Sequence, residues 1–378
     1  MYKILVSAMP YDGGKSGISV YINETLAKLS VKHQLTVLIL ESDLEKFPVR
    51  NDNITFKVFS DSLASALKNM LWHLFVLPRK LKFSDYDFIF LPAGNRRLFY
   101  KYPIFSVVTL HDLSQYHIKG KYDMFRMFYI KKVIPFFIKR ADHIMNVSGS
   151  TFDDAVKYYH IPEEIMSVNY NGYNADLYNS QKISGEGVLG KYDIKGKFIL
   201  YISRIEHPGK NHLNLVKAYE QLPESLKKNY SLILGGSFWP GSEVVEMYIK
   251  ESPDRDRIKC IGFVPTEDLP MLYRAADCYV FPSFFEGFGL SLLEAMACGT
   301  PVVCSNRSSL PEIGGDAVRL FNPDSPEDIA EQVQMVIEEP LLAEEMIKKG
   351  FKRVSLFDWQ IHADKIVEIY EKRKTKRD

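Results

Sequence analysis

Two glutamates with seven residues between them, Glu286 and Glu294, flank the run Gly287-Phe288-Gly289-Leu290. Glycines at 287 and 289 let a backbone approach a ligand closely. The amide N–H groups that open a helix, at the positive end of its dipole, suit an anion such as a phosphate. A phosphate is therefore expected at Gly287 to Leu290. Glu286 before the turn and Glu294 about one turn into the helix can accept hydrogen bonds from hydroxyls on either side of it. Hydroxyls, phosphate, hydroxyls is the layout of a nucleoside diphosphate sugar. The competing reading is structural: two helix-terminal glutamates that only stabilise a dipole.

Other residues extend the same chemistry. Arg204 and Lys210 stand on SRIEHPGKN, the loop after the apolar run Phe198 to Ile202. A guanidinium and an ammonium there can clamp a diphosphate and carry the charge that builds on a departing phosphate. His111 and Asp112 follow the apolar run VVTL. An imidazole at a strand end can bond a sugar or an acceptor, or simply cap the strand. Asn95-Arg96-Arg97 can meet a polar or phosphorylated acceptor by charge-assisted bonds, or be an exposed loop. Gly13 and Gly14 lie in MPYDGGKSG, a glycine-bearing loop ahead of a helix. The loop has neither G-x-G-x-x-G spacing nor a complete P-loop. No Asp-x-Asp stands at a strand's carboxyl end, because Asp85-Tyr86-Asp87 and Asp254-Arg255-Asp256 both precede strands. No metal is therefore expected, and no cofactor beyond the sugar nucleotide as substrate.

The elements that must position these residues follow from hydrophobic patterning. Apolar runs at 3–8, 35–40, 54–59, 88–91, 107–110 and 143–147, with helical segments between most, predict a parallel sheet covered on both faces. Ligands of such a sheet sit at the carboxyl ends of its strands. A strand and exit turn over 167–172 closes this half, and the polar, glycine-bearing 179–197 reads as a linker. Alternation restarts with strands at 198–202, 231–234, 258–261, 278–281 and 318–321. Helices are predicted at 18–29, 212–222, 290–298, 326–337, 341–349 and 359–370.

The stretch PSFFEGFGLSLLEAMACGTPVV, with Glu286 and Glu294 in it, closely resembles the signature of the retaining glycosyltransferases of family 4. The resemblance is clear over 198–328 and looser, though colinear, over 1–178. It implies an α/β GT-B fold, two Rossmann-like parallel-sheet domains facing a central cleft: 1–178 for the acceptor, a linker at 179–197, 198–356 for the sugar nucleotide, and a helix at 357–378 returning to the first domain. It implies that Glu286 contacts the donor sugar, that Glu294 holds the ribose diol, and that the amides between them meet sugar or phosphate. Arg204 and Lys210 would hold the diphosphate, and Gly235, Phe263 and Val264 would seat the base. Gly13 and Gly14 would lie against phosphate and acceptor, and His111 would line the active site. The reaction implied is hexose transfer to an acceptor hydroxyl with retention, by front-face attack in which the leaving phosphate accepts the proton. The alternatives from other classes are a catalytically silent sugar-nucleotide scaffold and a nicotinamide-dependent dehydrogenase, the latter opposed by the missing dinucleotide fingerprint.

Composition bounds these readings. With 378 residues, 46% hydrophobic and 25% charged, the chain is long enough for two globular domains. Residues 1–177 carry 22 Lys and Arg against 17 Asp and Glu, too modest an excess, without a recognition motif, to imply nucleic acid. Cys260, Cys278, Cys298 and Cys304 lack paired metal spacing and read as reduced core thiols. No apolar run reaches the ~18 residues of a membrane span, and the first residues lack a signal-peptide layout, so a cytoplasmic location is expected. Basic and aromatic residues interleave over 71–83 and 119–140, a pattern for an anionic membrane face or for a helix with its rings inward. For a chain of the resembled family, a basic-aromatic first domain would suit a bacterial enzyme that extends a lipid-linked surface polysaccharide, O-antigen or capsule, peripheral at the inner membrane face; a soluble acceptor is the alternative.

Overall fold

The computed structural model describes residues 1–14, 16–118, 124–181 and 186–375. They form two compact units. One is Met1–Gly172 with the chain after Phe357, the other Tyr173–Phe357.

The first unit is built on seven parallel strands: β1 (Lys3–Ser7), β2 (Gln34–Leu40), β3 (Ile54–Phe59), β4 (Phe88–Leu91), β5 (Ser106–Leu110), β6 (His143–Asn146) and β7 (Met166–Val168). Their spatial order is β3-β2-β1-β4-β5-β6-β7. β4 and β5 are buried along their whole length, which is why they read as continuous apolar runs rather than as alternation. Leu5, Ile89, Val108 and Ile144 meet Leu74, Ile130, Ile134 and Ile138 in one core. The helix Trp359–Lys374, capped by Asp358, belongs to this unit. It buries Trp359, Ala363 and Ile366, and Lys365 Nζ donates to Val168 O at 2.7 Å. Gly172 is required there, since a Cβ would stand 2.3 Å from Trp359 N.

The two basic-aromatic segments divide their residues between core and solvent. Leu74, Leu77, Ile130, Ile134 and Ile138 are buried, while Leu71, Phe75, Phe128 and Phe136 are exposed. Residues 119–123 and the Phe125 side chain lie outside the described part.

The second unit has six parallel strands: β8 (Lys197–Ile202), β9 (Tyr230–Gly235), β10 (Ile258–Gly262), β11 (Cys278–Phe281), β12 (Val302–Ser305) and β13 (Val318–Phe321). They are ordered β10-β9-β8-β11-β12-β13. The unit begins at Tyr173, not after a free linker. Tyr178 is buried, and Arg274 Nη1 donates to Asn179 O at 2.8 Å. Of the stretch expected to be linker, residues 182–185 are outside the described part. Glu186–Lys191 is a helix, and Lys191 and Tyr192 bond the Asp268 carboxylate at 2.6 and 2.7 Å. Polar composition suggested a solvated tether; here those polar groups find partners on the second unit.

Each sheet reverses its strand order beside its first strand, between β1 and β4 in one unit and between β8 and β11 in the other. A crevice opens at such a switch point, outside the carboxyl ends of the strands. The loops after β8 and β11 are those that carry Arg204, Lys210 and Glu286.

Candidate functional site

In the second unit the switch point is a stitched corner. β11 ends at Phe281, Pro282 follows, and the chain turns through Gly289 into the helix Leu290–Ala297. Gly289 has φ +101°, a left-handed value that disfavours any side chain. Glu286 N–H donates to Ser308 Oγ at 2.9 Å, and Ser309 Oγ donates to the carbonyls of Glu286 and Phe288 at 3.0 and 2.9 Å. The loop after β8 is tied to the same turn. Phe284 N–H reaches Gly209 O at 3.1 Å, Asn211 Nδ2 reaches Pro282 O at 3.0 Å, and Tyr201 Oη donates to Lys210 O at 3.0 Å.

These ties bring Lys210 Nζ to 2.7 Å from Glu286 Oε1, with both side chains largely buried. Arg204 stands on the same loop, about half exposed, its Nη2 3.4 Å from Glu206 Oε2. Glu294, in the helix, accepts from Tyr273 Oη at 3.1 Å. Burial pushes its carboxyl up to about 7, partly offset by bonds from Tyr273 and Tyr178. Phe288 and Val264 are buried and Phe263 is exposed. Gly235 O accepts from Ser203 N–H at 2.8 Å, and a Cβ on Gly235 would stand 2.5 Å from Ile202 Cδ1, so no side chain fits at this strand end.

The residues singled out in the first unit gather at its own switch point. Gly13 and Gly14 follow β1 with φ of +70° and +88°. The start of the helix Gly17–Lys32 already holds a carboxylate, because Asp12 Oδ1 accepts from Ser16 N–H at 3.1 Å and from Ser19 Oγ at 2.6 Å. His111 follows β5 and is 9% exposed. Its Nε2 lies 2.6 Å from Pro92 O, which can only accept, so Nε2 carries the proton and Nδ1 the lone pair. Burial lowers its pKa to about 4, leaving the ring neutral near pH 7. Asn95 and Arg96 follow β4. Arg97 is not a free cation: its Nε donates to Asn69 Oδ1 and its Nη1 to Arg96 O, and burial lowers its pKa to about 10.

With this geometry in hand, two family models cover most of the chain: "Glycosyltransferase Family 4" over residues 15–177 and "Glycosyl transferases group 1" over 190–353. An "O-antigen chain mannosyltransferase B" of Escherichia coli is 31% identical over 70% of this chain and 70% of its own length. The chain belongs to the family 4 glycosyltransferases. The serotype-specific mannosyltransferase WbdA of Escherichia coli is 31% identical over 75% of this glycosyltransferase, a region that makes up 35% of that longer protein. The Anabaena HepE structure, with UDP and glucose, superposes with a TM-score of 0.73 at 19% identity, covering 98% of this chain and 100% of HepE. The fold is GT-B.

Several residues that shape the glycosyltransferase corner were not singled out in the sequence. Ser308 and Ser309 lie in SNRSS, a turn-forming cluster whose position after a strand was a usable signal. Asn211 was inside a quoted loop, but its φ of +58° and its bonds to the carbonyls of Pro282 and Pro323 carry no sequence mark. Tyr201, Tyr273 and Tyr178 are indistinguishable in sequence from ordinary core tyrosines.

Proposed function

We propose that this glycosyltransferase moves a hexose from a nucleoside diphosphate sugar to a hydroxyl of a bacterial surface glycan, with retention and without a metal ion. The observation that carries the reading is the Lys210–Glu286 pair at 2.7 Å, beside the Leu290–Ala297 helix start and at the sheet's switch point. Arg204, Lys210 and the amides of Gly287 to Leu290 hold the diphosphate, and Glu286 and Glu294 take sugar and ribose hydroxyls. As the glycosidic bond lengthens, charge gathers on the leaving phosphate oxygen. Two cations and a helix N-terminus there lower the barrier because they are already in place. Retention by double displacement needs a carboxylate free to attack the anomeric carbon. Glu286 is bound to Lys210, which favours attack on the front face, with the leaving phosphate taking the acceptor's proton. The first unit, through His111, Asn95 and Arg96, takes the acceptor, and Gly13 and Gly14 allow it close approach.

The test is release of nucleoside diphosphate from a panel of sugar nucleotides with chelator present. Slow hydrolysis of one donor without metal is the expected result. Activity that vanishes on chelation and returns with manganese or magnesium would overturn the metal-free part, and binding without turnover in the presence of acceptor would make the chain a silent scaffold.

The O-antigen chain named for two of the relatives favours a lipid-linked acceptor. Among the described residues no helix is long and apolar enough to cross a membrane. Exposed Leu71, Phe75, Phe128 and Phe136 lie on segments that also expose Lys131, Lys132 and Arg140, a composition suited to an anionic lipid face. Vesicles of phosphatidylglycerol are expected to retain the protein at low salt and to release it when Phe128 and Phe136 are replaced by Ser. Equal recovery with neutral and anionic vesicles would remove the membrane from the proposal.

A further inference from the structure

The loop after β9, Gly236 to Gly241, is laced to the loop that carries Arg204. Ile205 N–H donates to Ser237 O at 2.9 Å, and Trp239 N–H donates to Ile205 O at 3.0 Å. Two glycines make this contact possible. A Cβ on Gly236 would lie 1.8 Å from Ser203 O, and one on Gly241 would lie 2.8 Å from His207 O. Both also have positive φ, +148° and +91°. The lacing holds the Trp239 indole, 47% exposed, against the guanidinium, with Arg204 Cζ 4.5 Å from the ring centroid.

We propose that Trp239 is a positioning residue that fixes the plane of the Arg204 guanidinium for a diphosphate; this rests on the reading of Arg204 given above. An aromatic face attracts the cation without neutralising it, unlike a second carboxylate. All five guanidinium N–H donors lie in one plane. With the guanidinium carbon held over the indole and Glu206 3.4 Å from Nη2, the remaining donors are oriented before a ligand arrives. Ordering an arginine in advance spares the rotamer entropy that binding would otherwise cost.

The experiment is calorimetric binding of UDP, GDP, ADP, CDP and dTDP in chelator, followed by the tightest of these with Trp239→Leu, Trp239→Phe, Arg204→Ala and the double variant Trp239→Leu/Arg204→Ala. Trp239→Leu is expected to weaken binding by about fivefold, and Trp239→Phe, which keeps a π face, by less than about twofold. In the Arg204→Ala background Trp239→Leu is expected to change nothing further, which a merely structural role would not produce. The same loss in both backgrounds, an equal loss for Phe and Leu, or no loss at all would overturn the proposal. Those outcomes are distinct from failure of the underlying reading, in which no diphosphate binds or Arg204→Ala binds as tightly as the parent.

Discussion

Replacing Lys210 by methionine is expected to lower turnover at saturating donor by about 10²- to 10³-fold, the range seen when one preorganised charge-stabilising donor is removed. Methionine keeps most of the apolar stem, so packing changes little. What is lost is a cation held in a largely buried position by Glu286 at 2.7 Å and by a backbone whose carbonyl accepts from Tyr201. In a partly dry corner that charge acts more strongly on a developing phosphate anion than it would in water. Glu286 would also be left as a carboxylate without its partner, which raises the cost of bringing a diphosphate near it. The measurement is the steady-state rate of donor hydrolysis as a function of donor concentration. A raised KM with unchanged kcat would mean that Lys210 only holds Glu286 in place and does not meet the leaving group.

Glu294→Ala should reduce donor affinity by about 100-fold, taking two hydrogen bonds from a diol to a charged acceptor at the low end of their usual worth. Wild-type affinity should rise between pH 6 and 8, because the carboxyl, raised to about 7, must ionise to accept from both hydroxyls. Stability moves the other way. The group's folded pKa lies above its ordinary value of 4.5, so between 4.5 and about 7 the folded chain keeps a proton that the unfolded chain has lost. The stabilisation is complete below 4.5 and disappears as pH rises through about 7. Glu294→Gln, which carries no charge to bury, should therefore raise the thermal midpoint at pH 8 and leave it nearly unchanged at pH 4, while binding stays weak at both. A flat binding profile over pH 6 to 8 would take Glu294 out of the donor contact.

Much of the fold was legible in the sequence because buried parallel strands are continuous apolar runs. The strands at 88–91, 278–281 and 318–321 appear at those limits, and so does the edge strand at 54–59, although none of its residues is buried. The strands expected at 35–40, 107–110, 198–202 and 258–261 are one residue longer, those at 3–8 and 143–147 one residue shorter, and the helix expected at 341–349 runs over Pro340–Val354, since element ends are decided by capping and packing that periodicity does not record. The linker reading failed for a related reason. The stretch is polar, but Lys191 and Tyr192 pair with Asp268, 77 and 76 positions away in the chain.

The sequence by itself determined the chemistry available at the corner: two glutamates around a glycine turn at a helix start, with two cations on one loop. Residue type and local spacing set those, because turn, helix start and strand end are short-range events. Only the tertiary structure decided how they are used. It joined Lys210 to Glu286, turned Arg97 toward Asn69, fixed the proton of His111 on Nε2, placed Asp12 on a helix end, and set a half-buried Glu294 beside two tyrosines. Each of these depends on what a side chain meets across the fold, and a pKa or an ion pair exists only once that neighbour is in place.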